Sequence, residues 1–453
     1  MSKTIFISVF QSFVSRNILN TGVLKELLKS GSSIVIFVVP EKLSFYKESY
    51  AQDNVIIEAF DPESFSNRID KILRSLAEVL VNTNVIRNRM IKKFHNSGRL
   101  GSYLYHRFII AFLGNSKVVK RIFRYIDRNL NKTDAYSDYF EKYRPDTVFA
   151  PDVFGVGDVL LFKSAAAHKV RTVGMVASWD NNTAKGLMRV IPDKLIVQNE
   201  IIKDESMNIQ DVPEEIIKVV GIAHYDYYKT YKPISRKEYF RKLGLDPKKR
   251  LIMFSPAGDK FIATDWQICE ILKKAYEKSE IPEDVITVVR VHPTNTVSFK
   301  DFIPDEHFII EQPGVKFEGL GDKRKELDKE GMYHLLDSLA HTELVINVLS
   351  SIVIDAAVFD VPVVTIGFEG WEKKVPFGNS VKRYHSDENM AKLLAIGGAP
   401  IVRNERELIK EINTYLKHPQ KDRDGRAKIV ERQCWKLDGR AKFRIAEMVT
   451  NNG

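Results

Sequence analysis

Residues 343–368 read ELVINVLSSIVIDAAVFDVPVVTIGF. An apolar run, a pair of serines, a stretch with helical spacing, an Asp-Val-Pro turn and a second apolar run follow one another without a break. The pattern predicts strand, turn, helix, strand. Both strands are apolar on nearly every position, as expected for parallel strands covered on both faces. Working outward, further strands are expected at 251–255, 285–291 and 308–310. Helices are expected at 264–278, 332–340, 351–359 and 405–417. Towards the N-terminus the same alternation predicts strands at 4–9, 34–39, 54–60, 147–150, 171–177, 194–198 and 218–220, with helices at 20–29 and 156–168. Alternating strands and helices specify an α/β doubly wound sheet.

The rhythm breaks twice. Residues 64–143 are helical, basic and aromatic, and read as an insertion. Residues 231–247 are polar and carry prolines, and read as a boundary. The expectation is two Rossmann-like domains facing a central cleft: 1–230 with its insertion, and 231–420. A charged helical segment, 421–453, would pack back on the first domain. Ligands of open α/β sheets bind beyond the carboxyl ends of the strands, so the residues just after strands are the candidates.

Several such residues stand out. Arg290 and His292 share a face at the end of a strand in VVRVHPTN, with Pro293 fixing the chain's exit. A cation and an imidazole there suit a phosphate, although a histidine capping a strand is the plainer alternative. Ser350 and Ser351 stand where a helix begins, and Asp355 follows one turn later. Free amides and the helix dipole favour an anion at such a point, while serine is also an ordinary N-cap. Ser255, Gly258 and Lys260 lie in the strand-end loop FSPAGDKF, which also reads as a plain turn. In the first half, ASWDNNTAKG brings Trp179, Asp180 and Lys185 together after a buried strand. Asp180 is the candidate general base, with an Asx-type turn as the alternative. Arg16, Asn17 and Asp152 follow two other strands and complete the acceptor-side set.

Composition narrows the function. Among 453 residues there are only two cysteines, Cys269 and Cys434, which excludes a disulfide framework or a thiolate-rich metal site. There is no P-loop, no G-x-G-x-x-G after a strand, no H-E-x-x-H and no Asp-x-Asp at a strand end. ATP hydrolysis, dehydrogenation and metal-dependent sugar transfer are disfavoured, and no metal or cofactor is expected. The start, MSKTIFISVF, reads as a strand and not as a signal peptide. No uninterrupted apolar run is long enough to span a bilayer. A cytoplasmic protein is expected.

The chain resembles the GT-B superfamily of glycosyltransferases, and within it the bacterial surface-polysaccharide enzymes related to CDP-glycerol glycerophosphotransferases. The resemblance rests on KVVGIAHYDYY (218–228), LGLDPKKRLIMFSP (243–256), VRVHP (289–293), the strand–serine–helix–strand block at 343–366 and DGRAKFRIAEMV (438–449). SWDNNTAKG is similar to a motif of uncharacterised GT-B members. The resemblance implies that the second domain binds a nucleotide-activated donor. Arg290, His292, Ser350 and Ser351 would meet its phosphates and Asp355 its ribose. Asp355 stands where the family usually has Glu. The first domain would hold the acceptor and the base.

The implied activity is metal-independent transfer of a sugar from a nucleotide-sugar donor to a glycan or lipid-linked acceptor. A CDP-glycerol-type polyol-phosphate transferase and a sugar-nucleotide epimerase are the enzymatic alternatives. The net charge is +10, and residues 87–132 hold twelve Lys or Arg against the single acid Asp127, interleaved with aromatics. That mixture suits an anionic membrane surface at the inner face of the cell membrane. It also fits nucleic-acid binding, but no nucleic-acid motif accompanies it and no nucleic-acid partner is expected.

Overall fold

The structure is a computed structural model describing residues 3–262, 264–292, 296–300, 302–314, 329–348, 350–371 and 375–451. Thirteen strands form two parallel sheets. In the first, β1 (Thr4–Ser8), β2 (Ser33–Val38), β3 (Val55–Ala59), β4 (Thr147–Ala150), β5 (Arg171–Met175), β6 (Lys194–Val197) and β7 (Ile217–Val219) lie in the order β3-β2-β1-β4-β5-β6-β7. In the second, β8 (Arg250–Ser255), β9 (Val285–Arg290), β10 (Phe308–Glu311), β11 (Thr342–Asn347), β12 (Val363–Ile366) and β13 (Ile401–Val402) lie in the order β10-β9-β8-β11-β12-β13. Both orders are those of a doubly wound sheet. Each reverses once, between β1 and β4 in the first sheet and between β8 and β11 in the second.

The chain divides into two compact units. Residues 1–90, 98–227 and 432–453 make the first; Ile91–Ser97 and Tyr228–Glu431 make the second. The first sheet is buried on both faces, which explains its unbroken apolar strands. Ile5, Ile7, Ile34, Ile36 and Val38 point into one core, while Phe6, Val35 and Phe37 point into another. Each such side chain removed from water contributes about 1.5–3 kcal/mol. The helix Ala441–Thr450 closes the first of these cores with Ala441, Ile445, Ala446 and Val449, and packs against Val23–Lys29. Arg171 holds it by donating to the carbonyls of Met448 and Val449.

Between β3 and β4 the insertion folds as helices Arg68–Ala77, Asn84–Ser97, Leu100–Phe112, Lys117–Leu130 and Ser137–Tyr143. Its small apolar core includes Leu73, Ile86, Met90, Ile110 and Phe123. A buried ion network ties it to the helix Val156–His168 and to the segment before β6. Arg189 donates to Asp127 at 2.8 Å and to Asp70 at 2.7 Å, and Lys163 donates to Asp127 at 2.7 Å. Burial alone would raise the pKa of both aspartates, but the cations and hydrogen bonds outweigh it and hold them below the usual carboxylate range.

The basic stretch is partly turned inward. Lys120 donates to the carbonyl of Ile209, and Arg124 to those of Met188 and Gln210. Lys117 and Arg121 pair with Asp211. Among the described residues no helix is long and apolar enough to cross a membrane.

Candidate active site

In the first unit the candidate residues gather where the sheet reverses, at the carboxyl ends of β1 and β4 and of the adjoining β5. Open α/β sheets bind their ligands at this point. Asp152 follows β4, and Asp158 stands in the first turn of the helix Val156–His168; both are buried. Ser8, the last residue of β1, donates its hydroxyl to Asp158 Oδ1 at 2.7 Å, and the Asp152 N–H donates to the same oxygen at 3.3 Å. Gly155 makes room for this carboxyl, since a Cβ there would lie 2.2 Å from Asp158 Oδ2.

Burial raises the pKa of Asp158 well above the carboxylate range, and the neighbouring Asp152 adds to it. Burial also raises that of Asp152; Asp180 adds to the effect and Lys185 opposes it. A charge on either carboxyl disfavours ionisation of the other.

Asp180 is half-buried at the start of the short helix Asn181–Ala184. Its carboxylate caps no backbone N–H, while its carbonyl accepts from Ala184. Lys185, exposed, ends that helix, and Trp179 packs partly into the core beneath it. Arg16 and Asn17 lie on the helical turn Ser15–Leu19. Arg16 donates to Asn17 Oδ1 at 3.2 Å, and Gln198 donates to the carbonyl of Ala177 at 2.9 Å. His224 is buried close to Arg16. Burial first, and then that guanidinium, keep its pKa well below the usual histidine value, so the imidazole is neutral. The arrangement offers one partly exposed carboxylate, an ammonium, and a buried acid pair behind them. Such a set can accept a proton from a hydroxyl and steady the charge that follows.

In the second unit, Ser255 and Asn347 are register partners at the ends of β8 and β11, again at the reversal point, and Thr365 pairs with Asn347 from β12. Asn347 is fully buried, and its carboxamide has no hydrogen-bond partner among the described residues. Ser350 accepts from the Ile352 N–H at 3.2 Å, so its hydroxyl already caps the helix Ile352–Val358. Ser351 is half-buried and its side chain caps nothing; Asp355 is buried within that helix's inward face.

Gly258 has φ +91°, which glycine adopts without strain. Its N–H donates to Asp265 Oδ2 at 2.7 Å, so an internal carboxylate already occupies the amide that a phosphate would meet. Burial pushes the pKa of Asp265 up to about 7, against the hydrogen bonds from Gly258 and Ala257.

Arg290 ends β9 directly opposite Glu311 of β10 and donates to it at 2.8 Å. Glu311 also meets His334 Nε2 at 2.8 Å. Burial acts to raise the pKa of Glu311, but His334 and Arg290 together leave it lowered. The phosphate contact expected of Arg290 therefore competes with an internal carboxylate, whereas His292, just past the strand, is exposed. Pro293 and Asn295 lie outside the described residues. Among the described residues one group of potential metal ligands is close-set: Asp305, Glu306 and His307, within 4.8 Å of one another. It precedes β10 and so lies at the amino edge of the sheet, opposite the strand ends just described.

Sequence reasoning misses Asp158, His224, Asp265, Glu311 and His334. An acid in the first turn of a helix that follows a strand-end acid is the available signal for Asp158. The Glu311 pairing depends on strand register, which the sequence does not print.

The structural neighbours share this plan of two parallel sheets, the GT-B fold. A glycosyltransferase from Rickettsia africae matches with a TM-score of 0.51 at 10% identity, over 100% of both chains. A putative UDP-N-acetylglucosamine 2-epimerase from Listeria monocytogenes matches with a TM-score of 0.54 at 12% identity, over 98% of this chain and 95% of its own. The UDP-GlcNAc 2-epimerase of Neisseria meningitidis matches with a TM-score of 0.52 at 12% identity, over 99% and 100%. At such identities the likeness is one of fold. No curated protein sequence matches the chain. A family model does, over residues 180–451, well over half the chain, and the match runs from Asp180 through the whole second sheet to the helix that closes the first unit's core. By that match the protein is a transferase and belongs to the CDP-glycerol:poly(glycerophosphate) glycerophosphotransferase family.

Proposed function

We propose that the protein transfers a group from a nucleotide-activated donor to a hydroxyl of a cell-surface polymer, with glycerol phosphate from a CDP-linked donor as the first candidate and a sugar from a nucleotide sugar as the second. The family match supports the first donor class. The observation that carries the reaction is the gathering of Asp180, Lys185 and the Asp152–Asp158 pair at the reversal point of the first sheet. The acceptor hydroxyl attacks the activated phosphorus, or the anomeric carbon of a sugar donor. Its proton passes to Asp180, and the nucleotide leaves with the electron pair of the broken bond. Ser350, Ser351 and His292 are assigned to the leaving phosphates, so preorganised donors take the place of a metal ion. On this reading chelation leaves turnover unchanged.

The acceptor is reached at an anionic membrane. Leu100, Leu104, Tyr105, Phe108 and Phe112 form an exposed stripe on one insertion helix, and Val118, Ile122, Tyr125 and Leu130 form another on the next. Phe112 and Tyr125 are each 70% exposed. Stripes of this kind beside Arg107, Arg128 and Lys132 suit the interface of a bilayer with acidic headgroups.

The test is a donor screen with CDP-glycerol, CDP-ribitol, UDP-sugars and GDP-sugars against a polymer acceptor on anionic vesicles. Turnover with CDP-glycerol and release of CMP is the expected result. Conversion of a UDP-sugar with no acceptor present would replace the transferase by an epimerase.

A further inference from the structure

We propose that Trp266, Trp371, Lys274 and Lys300 form a surface on the second unit that holds the polyol-phosphate chain of the acceptor away from the reaction centre. Trp266 stands in the first turn of the helix Asp265–Glu277, and Trp371 follows β12. Their rings meet edge to face, with centroids 5.4 Å apart and planes at 90°. Lys274 Nζ lies 5.0 Å from the Trp371 centroid, and Lys300 Nζ lies 5.1 Å from that of Trp266. The four side chains are thus one continuous patch, cation, ring, ring, cation. Lys274 is eight residues beyond Trp266, about 12 Å along the helix. The helix runs back from the strand ends, so the patch follows the flank of the sheet and does not sit over its reversal point.

The backbone around the patch is fixed from within. The Trp371 N–H donates to Gln267 Oε1 at 3.1 Å. Gly370, at φ +65°, permits that approach, since a Cβ there would lie 2.4 Å from the same oxygen. The segment that carries Lys300 is tied to the loop after β8: Asp259 Oδ1 accepts from the Ser298 N–H at 3.0 Å, and the Asp259 N–H donates to the Thr296 carbonyl at 3.0 Å. The recognition groups themselves face water. Lys274 and Lys300 are exposed, and Trp371 is 39% exposed. Among the described residues neither ammonium is paired with a carboxylate; Glu270, one turn from both Trp266 and Lys274, pairs with neither lysine. A ring under an ammonium restrains it while leaving N–H groups for an anion. Phosphodiesters separated by short C–H-rich polyol units match this alternation of cations and rings. The identification of the chain rests on the proposed transfer to a polymer; the patch and its charge do not.

Titration calorimetry on the full chain at low salt, with no nucleotide donor present, tests the surface with poly(glycerol phosphate) oligomers. Affinity rises with oligomer length and falls with added salt. Lys274→Gln combined with Lys300→Gln weakens binding by about fivefold or more, the sum expected of two exposed ion pairs, with the melting temperature unchanged because both side chains are exposed. Acylation of Lys274 and Lys300, followed by peptide mapping, is slowed by the oligomer, which locates the contact. Wild-type affinity in the double variant, or acylation rates that the oligomer does not alter, overturns the proposal. So does equal binding of an uncharged glycan oligomer, or tighter binding of a single-stranded oligonucleotide that depends on the same lysines. Binding needs no transfer, so a failed donor screen with the oligomer still held on these lysines refutes the reaction and not the surface, and a working transfer with no effect of the lysines refutes the surface alone.

Discussion

Replacing Asp265 with asparagine removes a buried acid whose ionisation the native state resists. Its pKa is pushed from 3.8 to about 7, chiefly by burial. The sign follows from linkage. The unfolded chain releases this proton near pH 4 and the folded chain only near pH 7. Wild-type stability is therefore fully present below pH 4 and is lost progressively as pH rises through 7. With a shift of about three units, each equivalent to 1.36 kcal/mol, the full loss is about 4 kcal/mol. Between pH 5 and pH 8 it comes to about 2.5 kcal/mol.

The carboxamide introduced by Asp265→Asn carries no titrating proton, and its oxygen still accepts from the Gly258 N–H. The stability of the variant relative to wild type should therefore rise by about 2.5 kcal/mol from pH 5 to pH 8. Urea unfolding at the two pH values, followed by tryptophan fluorescence with Trp266 adjacent to the changed residue, measures the difference. A difference that stays constant across this range would refute the reasoning, because it would mean that the carboxyl ionises in the folded state as easily as in the unfolded one.

Other outcomes follow from the same contacts. Asp180→Asn abolishes transfer while leaving donor binding intact; unchanged turnover removes the base assignment. Asp158→Asn relieves the raised pKa of the Asp152–Asp158 pair, so its melting temperature relative to wild type increases between pH 4 and pH 8, read by calorimetry. Arg189→Met leaves Asp70 and Asp127 without their guanidinium and costs about 3–5 kcal/mol in urea unfolding. Phe108→Ser and Phe112→Ser, at exposed positions, each lower partition onto anionic vesicles by about tenfold or more in sedimentation, with thermal stability unchanged.

The fold is legible in the sequence because its strands are covered on both faces. Runs such as TIFIS and SIVIFV admit few other readings, and the helices at 156–168 and 405–417 fall where periodicity puts them. The strand order is not legible, since it depends on which parallel neighbours pair. β13 escapes because two residues, Ile401 and Val402, carry no periodicity. The site is legible as strand ends but not as partners. Arg290 looks available to a ligand until register sets Glu311 beside it. The cations of residues 87–132 look uniform in the sequence, yet Lys120 and Arg124 are spent on backbone carbonyls, and the apolar stripes beside them emerge only once the helices are placed.

The helix Ala441–Thr450, which seals a core otherwise built from residues before 228, has a consequence for biosynthesis. The ribosome makes this helix roughly two hundred residues after the rest of the first unit. At 5–20 residues per second that is a delay of about ten to forty seconds. During the interval Ile5, Ile7, Val23 and Leu27 lack their cover, and the second unit can complete itself first. Completion of the first unit's core therefore waits for the synthesis of the helix Ala441–Thr450.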